Sequence, residues 1–377
     1  MTLDEIRTEI DSIDEQLLPL LIKRMKCAEQ VAEIKRQGGL PVYDPEREQE
    51  ILNRTEKDAG KYGNEARILY STLMDLSRAR QHALLGTGNV LRSQIAAADP
   101  ALEKCDTIAC LGEIGSFSHE AAMELYPDAN PLFFEHFSGI FAAVESGDAD
   151  IGIVPVENSS AGSVSEVYDL ILKYRFYIAA AITLRVHDCL ACTQGSNPEE
   201  IKTVYSHPQA LAQCSQYIEM HHLNPVKFSS TARAAQMVAQ WNEPGIAAVC
   251  SEQAAAQYGL RVLERDIQNS ANNCTRFIVI SRRMVIPKSA GKISLCFSLP
   301  HQTGSLYKIL SRFAVAGLNL TKIESRPIAN RTFEYDFYLD FTGNIREDPT
   351  QNLILSLYDE LPRFSFLGNY VEYESNL

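Results

Sequence analysis

Arg24 stands where the pattern calls for an apolar residue. The series Leu3, Ile6, Ile10, Ile13, Leu17, Leu20, Arg24, Cys27, Val31, Ile34 advances in steps of three and four. That is the heptad rhythm by which a long helix buries one stripe against partner helices. A guanidinium keeps its proton at ordinary pH, so burying it without an anion is costly. The series holds no Asp or Glu, so the anion comes from another helix or from a ligand. Arg7 and Lys35 are four heptads apart and share one flank of the stripe. Asp44-Pro45 reads as the N-cap and first residue of a second helix, which puts Arg47 and Glu48 in its opening turn. Ser77 and Gln81 are i, i+4 neighbours on a third helix. Four cations, a carboxylate and an amide suit a small dianion bearing a hydroxyl and an ether or carbonyl oxygen, because arginine's fork takes both oxygens of a carboxylate. No nucleophile–base pair accompanies them, so such a site works by positioning and electrostatics. The competing reading is an Arg24–Glu48 ion pair that only fixes helix register.

A second set of polar groups is spaced along residues 112–277. Gly112-Glu-Ile-Gly115-Ser-Phe-Ser118 follows a strand and opens a helix; its glycines allow a tight turn and expose N–H groups to an anion. Pro155-Val-Glu157-Asn158 and Ser206-His-Pro-Gln209 each end a strand, with Gln213 one helical turn on. Asn273-Cys-Thr275-Arg276-Phe277 begins another. Polar groups at strand ends mark the ligand crevice of an open α/β sheet, with capping of the following helices as the plain alternative. His207 is a further acid candidate or a structural residue beside Pro208. Cys189-Leu-Ala-Cys192 has metal-like spacing but lacks a second ligand pair, and reads as two buried strand cysteines.

The elements that must carry these groups fall into three styles. Residues 1–86 read as helices only, with a first helix over Leu3–Gln37 ended by Gly38-Gly39 and a third over Asn64–Leu85 whose Ile68, Leu69, Leu73, Leu76 and Leu84 face inward. A first helix of roughly 50 Å is too long for a compact three-helix monomer and implies an intertwined dimer; Pro19 should kink it. Residues 87–105 read as a linker. Residues 106–285 alternate short apolar runs (Thr107–Leu111, Ile151–Val156, Thr203–Tyr205, Ile246–Cys250, Arg276–Ile280) with helical stretches (Ser118–Tyr126, Val164–Tyr174, Ala210–His221, Thr231–Trp241), the style of an α/β domain. Residues 291–377 give strand Lys292–Leu299, helix Ser305–Ala316, strands Leu318–Ser325 and Thr332–Phe341, helix Pro349–Glu360 and strand Phe364–Tyr370, the split β-α-β-β-α-β order of an α+β ferredoxin-like unit.

The net charge of −13 over 377 residues argues against nucleic acid or an anionic membrane as partner. No apolar run reaches spanning length and no signal-peptide pattern opens the chain. Nine scattered cysteines suit free thiols in a reducing cytoplasm.

Over about residues 1–85 the chain resembles the all-helical chorismate mutase family, on Ile6-Arg7, Lys23-Arg24, Ile34-Lys35, Asp44-Pro45-Glu46-Arg47-Glu48 and Ser77 with Gln81. The resemblance implies that Arg24, Arg47 and the Arg7 of a second copy grip the two carboxylates of chorismate. It further implies that Lys35 and Gln81 donate to the ether oxygen and that Glu48 holds the ring hydroxyl, with Asp44 and Ser77 completing the site. Over about 106–282 the motifs resemble prephenate dehydratase, which implies a two-lobed fold like periplasmic binding proteins. It also implies a catalytic Thr275 and a substrate surrounded by Glu157, Asn158, Ser206, Gln213 and Arg276. Glu113 departs from the proline usual after the first glycine of that family. Over about 291–377, Gly304-Ser-Leu306 and Gly317-Leu-Asn319-Leu-Thr-Lys-Ile-Glu324-Ser325-Arg326-Pro327 resemble a phenylalanine-responsive ACT domain. This implies that L-phenylalanine binds between paired modules at Gly304, Leu306, Asn319, Glu324, Ser325 and Arg326. Together the resemblances imply a bifunctional enzyme making phenylpyruvate with no cofactor or metal, as a dimer or tetramer. The rival readings are an arogenate dehydratase with a silent mutase domain and a non-catalytic amino-acid-responsive binder.

Overall fold

The computed structural model describes residues 2–86, 88–102, 105–328 and 334–375. The chain divides into two units, Met1–Ala97 with Leu295–Ser365, and Ala98–Ser294 with Phe366–Leu377.

The first unit begins with α1 (Leu3–Gly38), started by a capping box between Thr2 and Glu5 and stopped by Gly39 at φ 63°. A left-handed residue there costs glycine nothing. The helix continues through Pro19. Its apolar stripe is exposed on the single chain from Leu3 to Leu20 and again at Val31 and Ile34, and its buried residues are Ala28 and Ala32. α2 (Pro45–Asp58) starts as expected, with the Asp44 side chain accepting from the Arg47 amide. α3 (Gly63–Leu85) corrects one expectation. Ile68, Leu69 and Leu84 are exposed, while Met74, Ser77, Arg78, Gln81 and His82 are buried. The polar face turns inward because neighbouring helices supply partners for its charges. α4 (Asn89–Ala96) lies in the segment expected as linker; Thr87, Glu103 and Lys104 of that segment are outside the described residues.

The second unit has two lobes. In chain order its elements are β1 (Thr107–Leu111), α5 (Phe117–Leu125), β2 (Asn130–Phe134), α6 (Phe137–Ser146), β3 (Ile151–Asn158), β4 (Gly162–Ser163), α7 (Ser165–Tyr174) and β5 (Tyr177–Arg185) in the first lobe. The second lobe has β6 (Cys189–Cys192), β7 (Thr203–Ser206), α8 (Pro208–Gln213), α9 (Ser215–Met220), β8 (Asn224–Lys227), α10 (Thr231–Trp241), β9 (Ile246–Cys250), α11 (Glu252–Gln257) and β10 (Arg261–Glu264), and β11 (Cys274–Ser281) returns to the first. The expected helix Ala210–His221 is two helices, broken at Cys214, where φ is −108°. The first lobe's sheet runs β5-β11-β3-β1-β2 and the second's β10-β6-β9-β7-β8. Cys189 and Cys192 are buried on β6, as read. Each sheet buries apolar side chains against its helices: Ile108, Ile153 and Phe277 in one, Ala232, Val238 and Ala248 in the other.

The remaining elements are β12 (Lys292–Ser298), α12 (Ser305–Val315), β13 (Leu320–Pro327), β14 (Tyr335–Thr342), α13 (Asp348–Glu360) and β15 (Ser365–Glu374), the expected split order. Thr332, the expected start of one strand, lies outside the described residues. The unit boundaries fall within β12 and β15. In the first unit β13 pairs antiparallel with β14; in the second, Val371–Glu374 of β15 run parallel to Ala180–Thr183 of β5.

Candidate functional sites

On the helices, Arg24 reaches α3, where it meets a hydroxyl and a backbone carbonyl rather than the carboxylate that a neighbouring helix could have brought. Its Nη1 donates to Ser77 Oγ at 2.5 Å and to the Leu73 carbonyl at 2.7 Å. Lys35 Nζ donates to the Val42 carbonyl at 2.6 Å. Burial lowers the pKa of both cations; Tyr70 and then Glu48 oppose this at Arg24, and Asp44 and then Glu48 oppose it at Lys35. Arg24, Lys35 and Glu48 therefore share one electrostatic neighbourhood. Gln81, only 7% exposed, has a side-chain carbonyl oxygen with no hydrogen-bond partner, an uncommon state for a buried acceptor. Arg47 is exposed and pairs with Glu50 at 3.1 Å. Arg7 is not brought to this group. It is exposed, pairs with Asp4 at 3.4 Å, and lies about 25 Å along α1 from Arg24 at ~1.5 Å per residue.

Glu48 does not pair with Arg24 to fix register. Both its oxygens accept from Arg78 Nη1, and Arg78 Nη2 donates to Asp75. Sequence reading missed Arg78, whose only local signal is the i−3 spacing to Asp75. Glu360 joins the cluster. Burial alone would raise its pKa, but the hydrogen bond from His82 and the charges of Arg312 and Arg78 hold it down at about 2.

In the second unit, a crevice of about 850 Å³ opens between the lobes at the ends of β1, β3, β5, β7 and β8. Thr275, Asn158, Gln213, His207 and Gln209 line it. Asn158 is the hub. Its Nδ2 donates to Thr275 Oγ1 at 2.9 Å and to Asn273 Oδ1 at 3.0 Å. Its Oδ1 accepts from the amides of Ser160 and Ala161 at 3.0 Å and from Gln213 at 3.4 Å. Because Thr275 accepts from Asn158, its own proton is left to be donated elsewhere.

Glu157, Ser206 and Arg276, expected around the substrate, do not line the crevice. Asn158 faces Thr275 across β3 and β11, and Glu157 faces Arg276. Successive strand residues point to opposite faces, so the second pair turns away. Arg276 binds the Tyr370 hydroxyl at 2.8 Å and Glu372 at 2.6 Å. Ser206 is buried and donates to the Val249 carbonyl at 2.6 Å.

The glycine loop is also used differently from expectation. The amides of Gly112, Gly115 and Ser116 go to Phe134 O, His119 Nδ1 and Glu113 O. A Cβ on Gly115 would sit 2.9 Å from Ala254 Cα, so this glycine permits close approach of the lobes. Glu113 is answered across the crevice by Ser230 Oγ at 2.9 Å and Arg233 Nη1 at 3.2 Å. Arg233 is therefore a crevice cation that sequence reading did not single out. Burial lowers the pKa of His207, favouring its neutral form.

In the C-terminal module Gly304 caps α12 at φ 81° and Leu306 lies in its first turn. Asn319 precedes β13, where Glu324 and Arg326 share one face and the exposed Ser325 takes the other. Glu324 pairs with Lys322 at 3.6 Å.

A charged helical site and a two-lobed α/β crevice on one chain define a multidomain enzyme for small anionic molecules. Residues 6–82 match the chorismate mutase type II family and residues 108–285 the prephenate dehydratase family. The chain is 34% identical, over 98% of its length and 97% of the relative's, to the bifunctional chorismate mutase/prephenate dehydratase of Aquifex aeolicus. It is 33% identical to that of Escherichia coli K12, covering 97% and 95% of the two chains. The crystal structure of an Arthrobacter aurescens prephenate dehydratase in complex with L-Phe superposes with a TM-score of 0.65 at 31% identity, covering 70% of this chain and 89% of that one. The chain belongs to the bifunctional chorismate mutase/prephenate dehydratase family. It rearranges chorismate to prephenate and converts prephenate to phenylpyruvate with loss of carbon dioxide and water. Among the described residues no helix is long and apolar enough to cross a membrane.

Proposed function

We propose that the two reactions run at the two sites described, and that L-phenylalanine, their downstream product, binds the C-terminal module as an ACT domain and inhibits. The Asn158–Thr275 hydrogen bond inside the crevice carries the dehydratase assignment. Aromatisation of the ring drives loss of the carboxylate as carbon dioxide and of the ring hydroxyl. The protein's part is to orient the ring and help the hydroxyl depart. Thr275, held by Asn158, donates a hydrogen bond to the departing oxygen.

The mutase reaction is a pericyclic rearrangement in which negative charge grows on the ether oxygen, so fixed donors there lower the barrier. Lys35 and Gln81 are those donors in this reading. Arg24 and Arg47 take carboxylates, Glu48 takes the hydroxyl, and Asp44 and Ser77 hold the surrounding geometry. Arg7 comes from a second copy. Its distance from Arg24 and the exposed apolar stripe of α1 support a dimer or larger homo-oligomer. The free state of all nine cysteines supports a cytoplasmic location.

Three variants test the division. Arg24→Ala is expected to lower chorismate turnover by at least about a hundredfold and spare prephenate turnover, and Thr275→Ala to do the reverse. Ser325→Ala is expected to weaken phenylalanine inhibition with little change in uninhibited rate. Equal loss of both activities in either active-site variant would reject separate sites, and unchanged inhibition would reject the effector site.

A further inference from the structure

Arg78 is only 8% exposed, yet each of its three guanidinium nitrogens faces an acid on a different helix. Nη1 takes both oxygens of Glu48 on α2, Nη2 takes Asp75 on α3, and Nε lies 3.4 Å from Glu360 on α13. The Tyr43 ring covers the group, with its centroid 5.1 Å from Cζ. Glu360 is itself fixed by His82 Nε2 at 2.9 Å and Arg312 Nη1 at 2.9 Å, and Arg312 by Ser356 at 2.5 Å.

Hydrogen bonds at Nη1 and Nη2 fix the plane of the guanidinium, and the ion pair between Nε and Glu360 adds an electrostatic restraint from a third helix. A two-oxygen grip from a fixed fork in turn sets the plane of the Glu48 carboxylate, which a lysine's point charge would not do. Glu48 sits in the first turn of α2 on a flexible side chain, so without that grip it would sample several rotamers, and ordering it would raise the barrier.

We propose that Arg78 is a positioning residue for the mutase reaction, fixing the carboxylate of Glu48, and that Glu360 of the C-terminal module holds Arg78 in place. The proposal rests on the reading of Glu48 as the ligand of the substrate hydroxyl. It makes the mutase site dependent on a side chain encoded in the effector-binding part of the chain.

The test uses the full chain, with mutase and dehydratase kinetics measured on the same preparations. Glu48→Gln examines the underlying reading and is expected to lower mutase kcat/KM by at least about tenfold. Arg78→Met is expected to lower mutase kcat by about tenfold to a hundredfold with dehydratase kcat and KM unchanged, and Arg78→Lys to recover only part of the loss. A merely structural role would instead lower both activities in proportion to the folded fraction. Glu360→Gln is expected to lower mutase turnover about threefold or more, and the double variant to be no worse than Arg78→Met alone, since the two act through one contact. If Glu48→Gln is inactive while Arg78→Met and Glu360→Gln stay within about twofold of wild type, the proposal is overturned and the Glu48 reading survives. If Glu48→Gln itself stays within about twofold, the underlying reading fails and the proposal with it. Should Arg78→Met lose both activities by misfolding, Glu360→Gln decides: selective mutase loss supports the proposal, and unaltered mutase turnover overturns it.

Discussion

Asp188 offers a quantitative test of how the crevice is built. It follows β5, is 0% exposed, and lines the crevice with one carboxylate oxygen lacking a hydrogen-bond partner. The other oxygen is 3.9 Å from Cys214 Sγ. Burial pushes its carboxyl up from the ordinary 3.8 to about 6, against the smaller opposing effects of the Cys214 hydrogen bond and the charge of His187. That rise corresponds to on the order of 3 kcal/mol between the two protonation states. The sign follows from proton linkage. The folded state holds this proton more tightly than the unfolded state, so stability is full below pH ~4, falls as pH rises towards 6, and stays low above it. Asp188→Asn keeps the shape and removes the titration. At pH 7 the variant should be more stable than wild type by up to about 3 kcal/mol, or about 6–12 °C in Tm for a unit of this size. Near pH 4 the two should coincide. Thermal unfolding followed by circular dichroism across pH 4–8 measures this. Parallel pH profiles for the two proteins would show that Asp188 is solvated or paired in solution, and the burial argument would be wrong.

Two further outcomes are expected. Asn158→Ala removes the donor that fixes Thr275 and should lower dehydratase kcat about tenfold to a hundredfold while chorismate turnover on the same preparation is retained. Gly88→Ala forces alanine to φ 71° and sets a Cβ 2.8 Å from Leu355 Cδ2; it should destabilise the first unit by about 1–3 kcal/mol, readable by urea denaturation.

Much of the architecture was legible where local chemistry is strong. Asp44-Pro45 and Gly39 delimit helices because capping is decided by a few adjacent residues, and β1 and β9 are bounded as read. β5 was not read because Ile178-Ala-Ala-Ala-Ile182 is a short apolar run, whose period cannot separate strand from helix. The inward face of α3 was misread for a different reason. Apolar spacing points to Ile68 and Leu69, but the buried face is polar, and its partners come from distant parts of the chain. Within the crevice, Thr275 and Asn158 were found from their motifs. Their neighbours Arg276 and Glu157 were grouped with them although strand alternation alone separates the pairs. Arg78 and Glu360 meet across far too much sequence for spacing to reveal them.

The parallel pairing of β15 with β5 also bears on how the molecule is made. The segment Ala180–Thr183 acquires its neighbour Val371–Glu374 only after about 190 further residues have been synthesised. Until then the edge of β5 is an open template, and the guanidinium of Arg276 lacks Tyr370 and Glu372. An emerging polypeptide therefore carries an unfinished dehydratase sheet through about half of translation, a window in which chaperones or stray strands can compete for the vacant edge.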